Sequence, residues 1–559
     1  MTWYDRKPLL LLLFLLGSLA LYGASLGNGY VLDDQAAVEE NSLAHWPPRP
    51  LEILQANYWG NRPGYEKLTI YRPLATLTFA LVDGLPGPAP ALQRSVNIVL
   101  HGIASWLVYA LALALGLAVL PAAAAGLLFL VHPVHSEAVL GVVSRAELLA
   151  AVFILLGALL VVRWRGRGEL LQPARLATLA AVFLLALLSK ENGATLLPAI
   201  LLLAVFGLPR DPLASRAAGT DTGRTDDPLA SRADGTDAGQ SDPGGSNPSR
   251  ERSERIRFYL SRLPLLALLT AVLAAYFFLR HAMLSGVLAG DLAFEDNPML
   301  GADFAGRWLT PFKLLYLYAG LLLVPHTLTV DYSWAQVLPA ASLFELEVLG
   351  GLLLALGMLA ALVLSLRRSG QVATLLLLFA GTYAVISNFA FLSTIIMAER
   401  VFYTPSAFLI LLLVAGAASL LRPRLALALL AVIVLAFSVR TALRIPDFAN
   451  PLTLAHSAAT AAPASAKSRH LLALELGRLG ATAEALKEYE AALAISPDNF
   501  NMLTNYGLAL LQAQRPEEAL TAFIRAQDAS KGRHKRSWNL LCNTAANLGR
   551  EEVLRARCR

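Results

Sequence analysis

Between Leu9 and Leu26 the chain carries no charged side chain, and apolar stretches of similar character recur as far as Arg440. An α-helix needs about 20 mostly apolar residues, within roughly 17–25, to cross the hydrocarbon layer of a membrane. In that layer every backbone N–H and C=O must be satisfied inside the segment, so repeated runs of this length specify a bundle of crossing helices. Charged residues make up 15% of the sequence, against about 25% in soluble proteins. The net charge of +6 does not point to nucleic acid, because the basic residues stand at the ends of apolar runs, where they orient a membrane protein. Two cysteines, Cys542 and Cys558, exclude a disulfide scaffold and a Cys-rich zinc site.

Arg6 and Lys7 precede the first run, which has no clear small-x-small cleavage site. It reads as an uncleaved first span with the N-terminus in the cytoplasm. Further spans are expected near 95–119, 120–136, 146–163, 174–189, 193–208, 263–281, 345–366, 371–389, 401–421 and 424–440, about eleven transmembrane helices in all. Even-numbered spans then end inside. One is followed by a bare turn at Pro121; the others meet Arg163, Arg165 and Arg167, the 210–262 loop, Arg367-Arg368, and Arg422 with Arg424, as the positive-inside tendency requires. A crossing at Trp308–Pro325 would upset this parity, so that segment is expected to re-enter or to lie in the interface on the outer face. Residues 210–257 form the cytoplasmic loop. Asp211–Asp226 nearly repeats as Asp227–Asp242, and with so much Gly, Pro, Asp and Ser it is expected to be disordered.

Past Arg444 a period of 34 residues appears: Ala473, Ala485, Tyr489 and Ala492 recur as Gly507, Ala519, Phe523 and Ala526. This small/small/aromatic/small spacing lets two antiparallel helices pack closely and matches the tetratricopeptide repeat (TPR). Two good copies, near 466–499 and 500–533, precede a poorer third around Ser537–Leu554 that would cap the solenoid. The fold class is therefore all-α, a membrane domain over 1–445 and TPR repeats over 463–559. By parity the repeats lie outside the cytoplasm, in a compartment that permits a Cys542–Cys558 disulfide. Their groove suits a protein partner, and packing as a cap over the membrane domain is the alternative.

Ionisable groups near a membrane are costly and need a reason when they cluster. Sorted by side, Asp33-Asp34, Arg72, His132, His135, Glu137, Arg145, Glu147, Lys190-Glu191, Asp331 and Glu399-Arg400 all fall on the outer face. Interfacial ion pairs, with Lys190–Glu191 and Glu399–Arg400 each neutralised locally, would account for any single cluster. Their collection on one face points instead to an outward, charge-lined cavity. Carboxylates with Arg and Lys nearby suit a general base acting on an acceptor hydroxyl while cations hold a phosphate leaving group. Adjacent Asp33 and Asp34 can point opposite ways, and like-charge repulsion is expected to raise the pKa of one. His132 and His135 flank a proline that breaks helical presentation, and no third ligand is spaced with them, so hydrogen bonding rather than metal binding is expected.

The same residues resemble a known family, the transmembrane-and-tetratricopeptide O-mannosyltransferases. The resemblance rests on Asn28–Asp34 with its Asp33-Asp34 pair, Tyr71–Leu74 with Asn97 and His101, and Leu130–Glu137 with Ser144-Arg145 and Glu147. It extends to Leu188–Glu191, Asp331–Ser333 and Met397–Arg400, with repeats after the last span. It implies a GT-C-like fold and transfer of sugar from a polyprenyl-phosphate-linked donor on the extracytoplasmic face, with inversion. Protein O-mannosylation is one such reaction. Asp33 matches the leading acid of the family's first-loop motif, with Asp34 its neighbour, and the first-loop acid is the catalytic base. Arg72, Arg145, Lys190 and Arg400 are the candidate ligands of the donor phosphate. His132, His135, Glu137, Glu147, Glu191, Asp331 and Glu399 are the supporting residues. The co-substrate would be the lipid-linked sugar, and the partners membrane lipids and an acceptor protein or glycan held by the repeats. In a bacterium the location would be the cell or inner membrane. The short array and the 210–257 insertion depart from the family pattern. A different class of function is a non-catalytic membrane scaffold that binds protein partners through its repeats. A transporter is disfavoured, because the inner face lacks matching intramembrane polar groups.

Overall fold

A computed structural model describes residues 7–60, 69–206, 260–284, 294–368 and 370–558. The duplicated 210–257 loop lies outside the described residues. Every regular element among them is helical. Seven segments are long and apolar enough to cross a membrane: Pro8–Gly27, Ala89–Ala114, Val142–Gly166, Leu263–Met283, Leu346–Leu366, Arg400–Leu420 and Pro423–Phe448. Val119–Val131 and Pro133–Leu140 make an eighth if counted as one span bent by 49°. The expected 120–136 run breaks there because Pro133 has no N–H to offer and its ring clashes with the preceding turn.

Pro173–Ser189 and Gly370–Ala384 are shorter apolar helices. The expected 371–389 run stops early because Ser387 and Asn388 bond locally instead of continuing the helix. Phe389 N donates to Ser387 Oγ at 3.2 Å, and Ser393 N to Asn388 Oδ1 at 2.8 Å. The Trp308–Pro325 segment is one continuous helix, Phe304–Leu323, and is not among the seven candidate spans. It runs alongside 388–398: Arg307 donates to the Phe389 carbonyl at 3.0 Å, and the Tyr318 hydroxyl to the Ala398 carbonyl at 3.3 Å.

One end of the bundle gathers the polar chain. Gly29 N donates to Ala449 O at 2.9 Å and Asn28 Nδ2 to Ile445 O at 3.1 Å, so the first and last apolar helices finish side by side. Ion pairs Arg72–Glu191, Lys190–Glu147 and Arg400–Glu137 bring further helix ends to the same place. At this end also sits the repeat array. Ala335 N donates to Ala464 O and Ala466 N to Trp334 O, both at 2.9 Å. Asn499 Nδ2 donates to Glu295 Oε1 at 2.7 Å, and Lys467 pairs with Asp296. The array is thus seated on the membrane domain by backbone and side chain alike.

The repeats pair Ala466–Arg478 with Thr482–Ile495, Phe500–Gln512 with Pro516–Ala529, and Lys535–Asn547 with Glu551–Arg557. The periodic positions form their core, with Ala473, Ala485, Tyr489, Ala519, Phe523 and Ala526 all buried. At Gly507 a Cβ would stand 2.4 Å from the Phe523 ring, which is why the second copy carries glycine where the first has alanine. A disulfide joins Cys542 to Cys558 and ties the end of the final helix to its partner Lys535–Asn547.

Candidate active site

The site is built on two loops stapled together. Buried Arg94 donates to four carbonyls: Ser25 at 3.0 Å, Asn28 at 2.7 Å, Gly29 at 2.8 Å and Leu140 at 3.0 Å. Asn97 Nδ2 donates to Gly141 O at 2.9 Å. Asp34 completes the join, accepting from Val143 N at 2.7 Å and Val31 N at 3.2 Å. Leu32 between them has φ of 50°, in the left-handed region that a branched side chain seldom adopts. That turn leaves Asp33 exposed while Asp34 is fully buried. The neighbouring acids therefore have different work, and the expected mutual repulsion is not the dominant influence. Burial pushes the Asp34 carboxyl from 3.8 up to about 6, opposed by its backbone hydrogen bonds and by Arg94.

Asp33, Arg72, Glu147, Lys190, Glu191 and Arg400 line one cavity of about 320 Å³. Its pairings are not those of sequence neighbours. Arg72 Nε meets Glu191 Oε2 at 3.3 Å, Lys190 meets Glu147, and Arg400 meets Glu137 through its side chain and through its backbone N at 2.8 Å. Asn192 donates to the other Glu147 oxygen at 2.7 Å. The local pairs Lys190–Glu191 and Glu399–Arg400 of the alternative reading are not formed; Lys190, Glu191 and Arg400 take partners distant in sequence, on the cavity that was expected instead. Adjacent residues in the tight turns after Ser189 and before Tyr403 project in different directions. Burial pulls the Lys190 ammonium below its usual range, against the opposing field of Glu147. The field of Arg72 helps hold Glu191 below the usual carboxylate range, although burial pushes the other way.

Gly193 makes the Lys190 turn possible. A Cβ there would lie 2.4 Å from the carbonyl carbon and oxygen of Ala186. Gly193→Ala is expected to cost about 1–3 kcal/mol of stability as an overpacked contact and to displace Lys190 and Glu191 together. Thermal unfolding in detergent beside a transfer assay measures both effects.

Other expected site residues lie elsewhere. Arg145 is wholly buried, with Nε on Asn97 Oδ1 at 3.1 Å, another nitrogen on the Gln93 carbonyl, and its guanidinium 4.5 Å from the Phe79 ring centre. It braces the loops and does not line the cavity. His132 Nε2 bonds Leu322 O at 2.9 Å; His135 bonds Phe129 O at 2.7 Å and Ser406 Oγ at 2.9 Å. Both are interior struts. Asp331 accepts from Ser333 at 2.8 Å and Ser468 at 3.2 Å, and also from Ser465, at the seam with the first repeat. Glu399 sits behind Arg400, accepting from Thr329 N at 2.6 Å and the Tyr332 hydroxyl at 2.9 Å. Burial pushes its carboxyl up to about 8, against the pull of Arg444. Glu137 acts through Arg400 rather than from the cavity wall.

Sequence reasoning missed Arg94, the 385–397 wall and Arg280. Arg280 also lines the cavity and donates to Thr69 O at 2.9 Å. The signal for it is an arginine at the end of an apolar run that the parity reading expects to face outward, against the positive-inside tendency. Among the described residues no group of three His, Cys, Asp or Glu side chains is arranged to hold a metal ion.

A tetratricopeptide-repeat family model matches residues 478–541. The chain is 29% identical over 523 residues to "Protein O-mannosyl-transferase TMTC3" of Homo sapiens, covering 91% of this chain and 54% of that protein. It is 25% identical over 506 residues to "Protein O-mannosyl-transferase F38B6.6" of Caenorhabditis elegans, covering 88% and 63%. With "Protein O-mannosyl-transferase TMTC1" of Homo sapiens the identity is 29% over 531 residues, covering 87% and 55%. The chain spans little more than half the length of these relatives. No solved structure matches it. The chain is therefore similar, along about nine-tenths of its residues, to proteins named as O-mannosyltransferases.

Proposed function

We propose that this protein is an integral-membrane glycosyltransferase of GT-C type. It moves a sugar, mannose by analogy with the relatives' names, from a polyprenyl-phosphate donor to an acceptor hydroxyl on a protein. The observation that carries the proposal is Asp33, an exposed carboxylate in the charged cavity that forms no hydrogen bond or ion pair with any described residue. A carboxylate so placed is free to accept a proton. In the step proposed, the acceptor oxygen attacks the anomeric carbon and its proton passes to Asp33. The bond from that carbon to the phosphate oxygen breaks, and polyprenyl phosphate leaves with the electron pair. Attack from the side opposite the leaving group inverts the centre. The cations on the wall, Arg72, Lys190 and Arg400, favour the negative charge that grows on the leaving oxygen.

The reaction face is read as extracytoplasmic. Support comes from the basic residues at the opposite ends of the apolar runs and from the Cys542–Cys558 disulfide, a bond that persists in oxidising compartments. The repeats, seated at the same end, are read as the platform for the acceptor polypeptide.

Purified protein in lipid nanodiscs, given a panel of polyprenyl-phosphate sugars and a hydroxyl-bearing polypeptide, tests the reading. Transfer from one of the lipid donors is expected. Transfer from a nucleotide sugar alone, or from no donor, would overturn it. A membrane-impermeant label at single cysteines near 220 and 480 tests the sidedness separately, and labelling of both from the same compartment would sink it.

A further inference from the structure

The charges lining the cavity do not cancel locally, and the remainder is informative. Arg72, Lys190 and Arg400 each already hold a carboxylate, from Glu191, Glu147 and Glu137. Arg280 is the remaining cation on the wall, and it meets no carboxylate among the described residues. Its Nη2 is held by the Thr69 carbonyl at 2.9 Å, its Nε is buried without a partner, and its Nη1 makes no hydrogen bond to a described residue. A guanidinium tethered through one nitrogen and otherwise uncommitted is prepared for a tetrahedral anion.

Its place in the fold suits a ligand that arrives from the bilayer. The Leu263–Met283 helix turns most of its surface outward; Phe277, about one turn before Arg280, and its neighbour Phe278 are exposed. Tyr276 packs on Tyr71, ring centres 6.2 Å apart, and so pins the helix end beside Arg72. A prenyl chain lying along the outward face of this helix would bring its phosphate to Arg280.

We propose that Arg280 is the anchor for the phosphate of a lipid-linked donor, an inference that rests on the donor reading above. Arg72, Lys190 and Arg400 then keep their carboxylates, and act on the leaving oxygen by their field rather than by holding the phosphate. A phosphodiester bound at Arg280 balances its charge, leaving Asp33 as the uncompensated group that receives the proton.

The test uses the full chain in nanodiscs with polyprenyl-phosphate mannose as donor, and compares Arg280→Gln and Arg280→Lys with wild type. Arg280→Gln is expected to raise the donor KM by roughly ten- to a hundredfold, the loss expected for a charge-assisted contact to an anion, with kcat little changed. Arg280→Lys is expected to recover most of that loss. A wild-type KM in Arg280→Gln overturns the proposal, and so does a fall in its melting temperature without ligand that Arg280→Lys repairs with no gain in KM. A second measurement separates the two readings. Short-chain polyprenyl phosphate should raise the melting temperature of wild type and not of Arg280→Gln, even if no sugar is transferred; that pair of results would keep the anchor and sink the transferase. Equal shifts in both proteins would sink the anchor. An Arg280-dependent shift with inorganic phosphate alone, and none with the lipid, would overturn the lipid source.

Discussion

Asp33→Asn is expected to reduce glycosyl transfer by about 10²–10⁴-fold, the usual contribution of a positioned general base, while the melting temperature and the amount of protein in the membrane stay at wild-type values. The side chain is exposed and makes no bond to a described residue that the amide would break. Its neighbour should behave in the opposite way. Asp34→Ala removes the acceptor for Val143 N and Val31 N, and each buried N–H left alone costs about 1–3 kcal/mol. Activity would then fall with stability. Asp34 also carries a pH signature. Its carboxyl is raised from 3.8 to about 6 by burial, so the native state binds more protons than the unfolded state between these values. Stability is full below about pH 4 and declines as pH rises through about 6; Asp34→Asn should flatten that slope. An Asp33→Asn protein that transfers sugar at the wild-type rate would leave the cavity without its base.

The second large effect is expected at the Glu147–Lys190 pair. Both side chains are deeply buried, at 1% and 12% exposure. Glu147→Ala strands the Lys190 ammonium and also frees Asn192, and breaking a buried pair from one side costs about 3–5 kcal/mol. Removing both charges, as Glu147→Leu with Lys190→Met, should return much of the lost stability, because the desolvation penalty disappears with the ions. Activity should not return with it, since the wall would have lost a cation. A double-mutant cycle of melting temperature and transfer rate measures the coupling. Additive losses would show that the two side chains do not act as a pair.

Much of the site was legible because membranes make charge conspicuous. Asp33, Arg72, Lys190, Glu191 and Arg400 stand at the ends of apolar runs, and the structure brings them into one cavity. The repeats were legible for a different reason, since a 34-residue period of small and aromatic residues leaves few other ways to pack. What could not be read was direction. Sequence neighbours Lys190 and Glu191 look like a pair, yet the turn that Gly193 permits sends them to Glu147 and Arg72. Arg145 looks like Arg72 on paper, but at the first position of its helix it is spent on Asn97 and the Gln93 carbonyl. His132 and His135 resemble ligands until their carbonyl partners are seen. Arg280 was passed over because a lone arginine ending an apolar run reads as a boundary marker.

The seam at Asp331, Trp334 and Ser465 fixes the proximal end of the solenoid, and among the described residues no hydrogen bond or ion pair ties the last helix pair to the membrane domain. Added or deleted units at the far end would lengthen or shorten a cantilever without moving its root. The reach of the proposed acceptor platform would then be tunable independently of the proposed site, whereas a change in the root unit would be transmitted through Glu295 and Asp296 to the chamber wall.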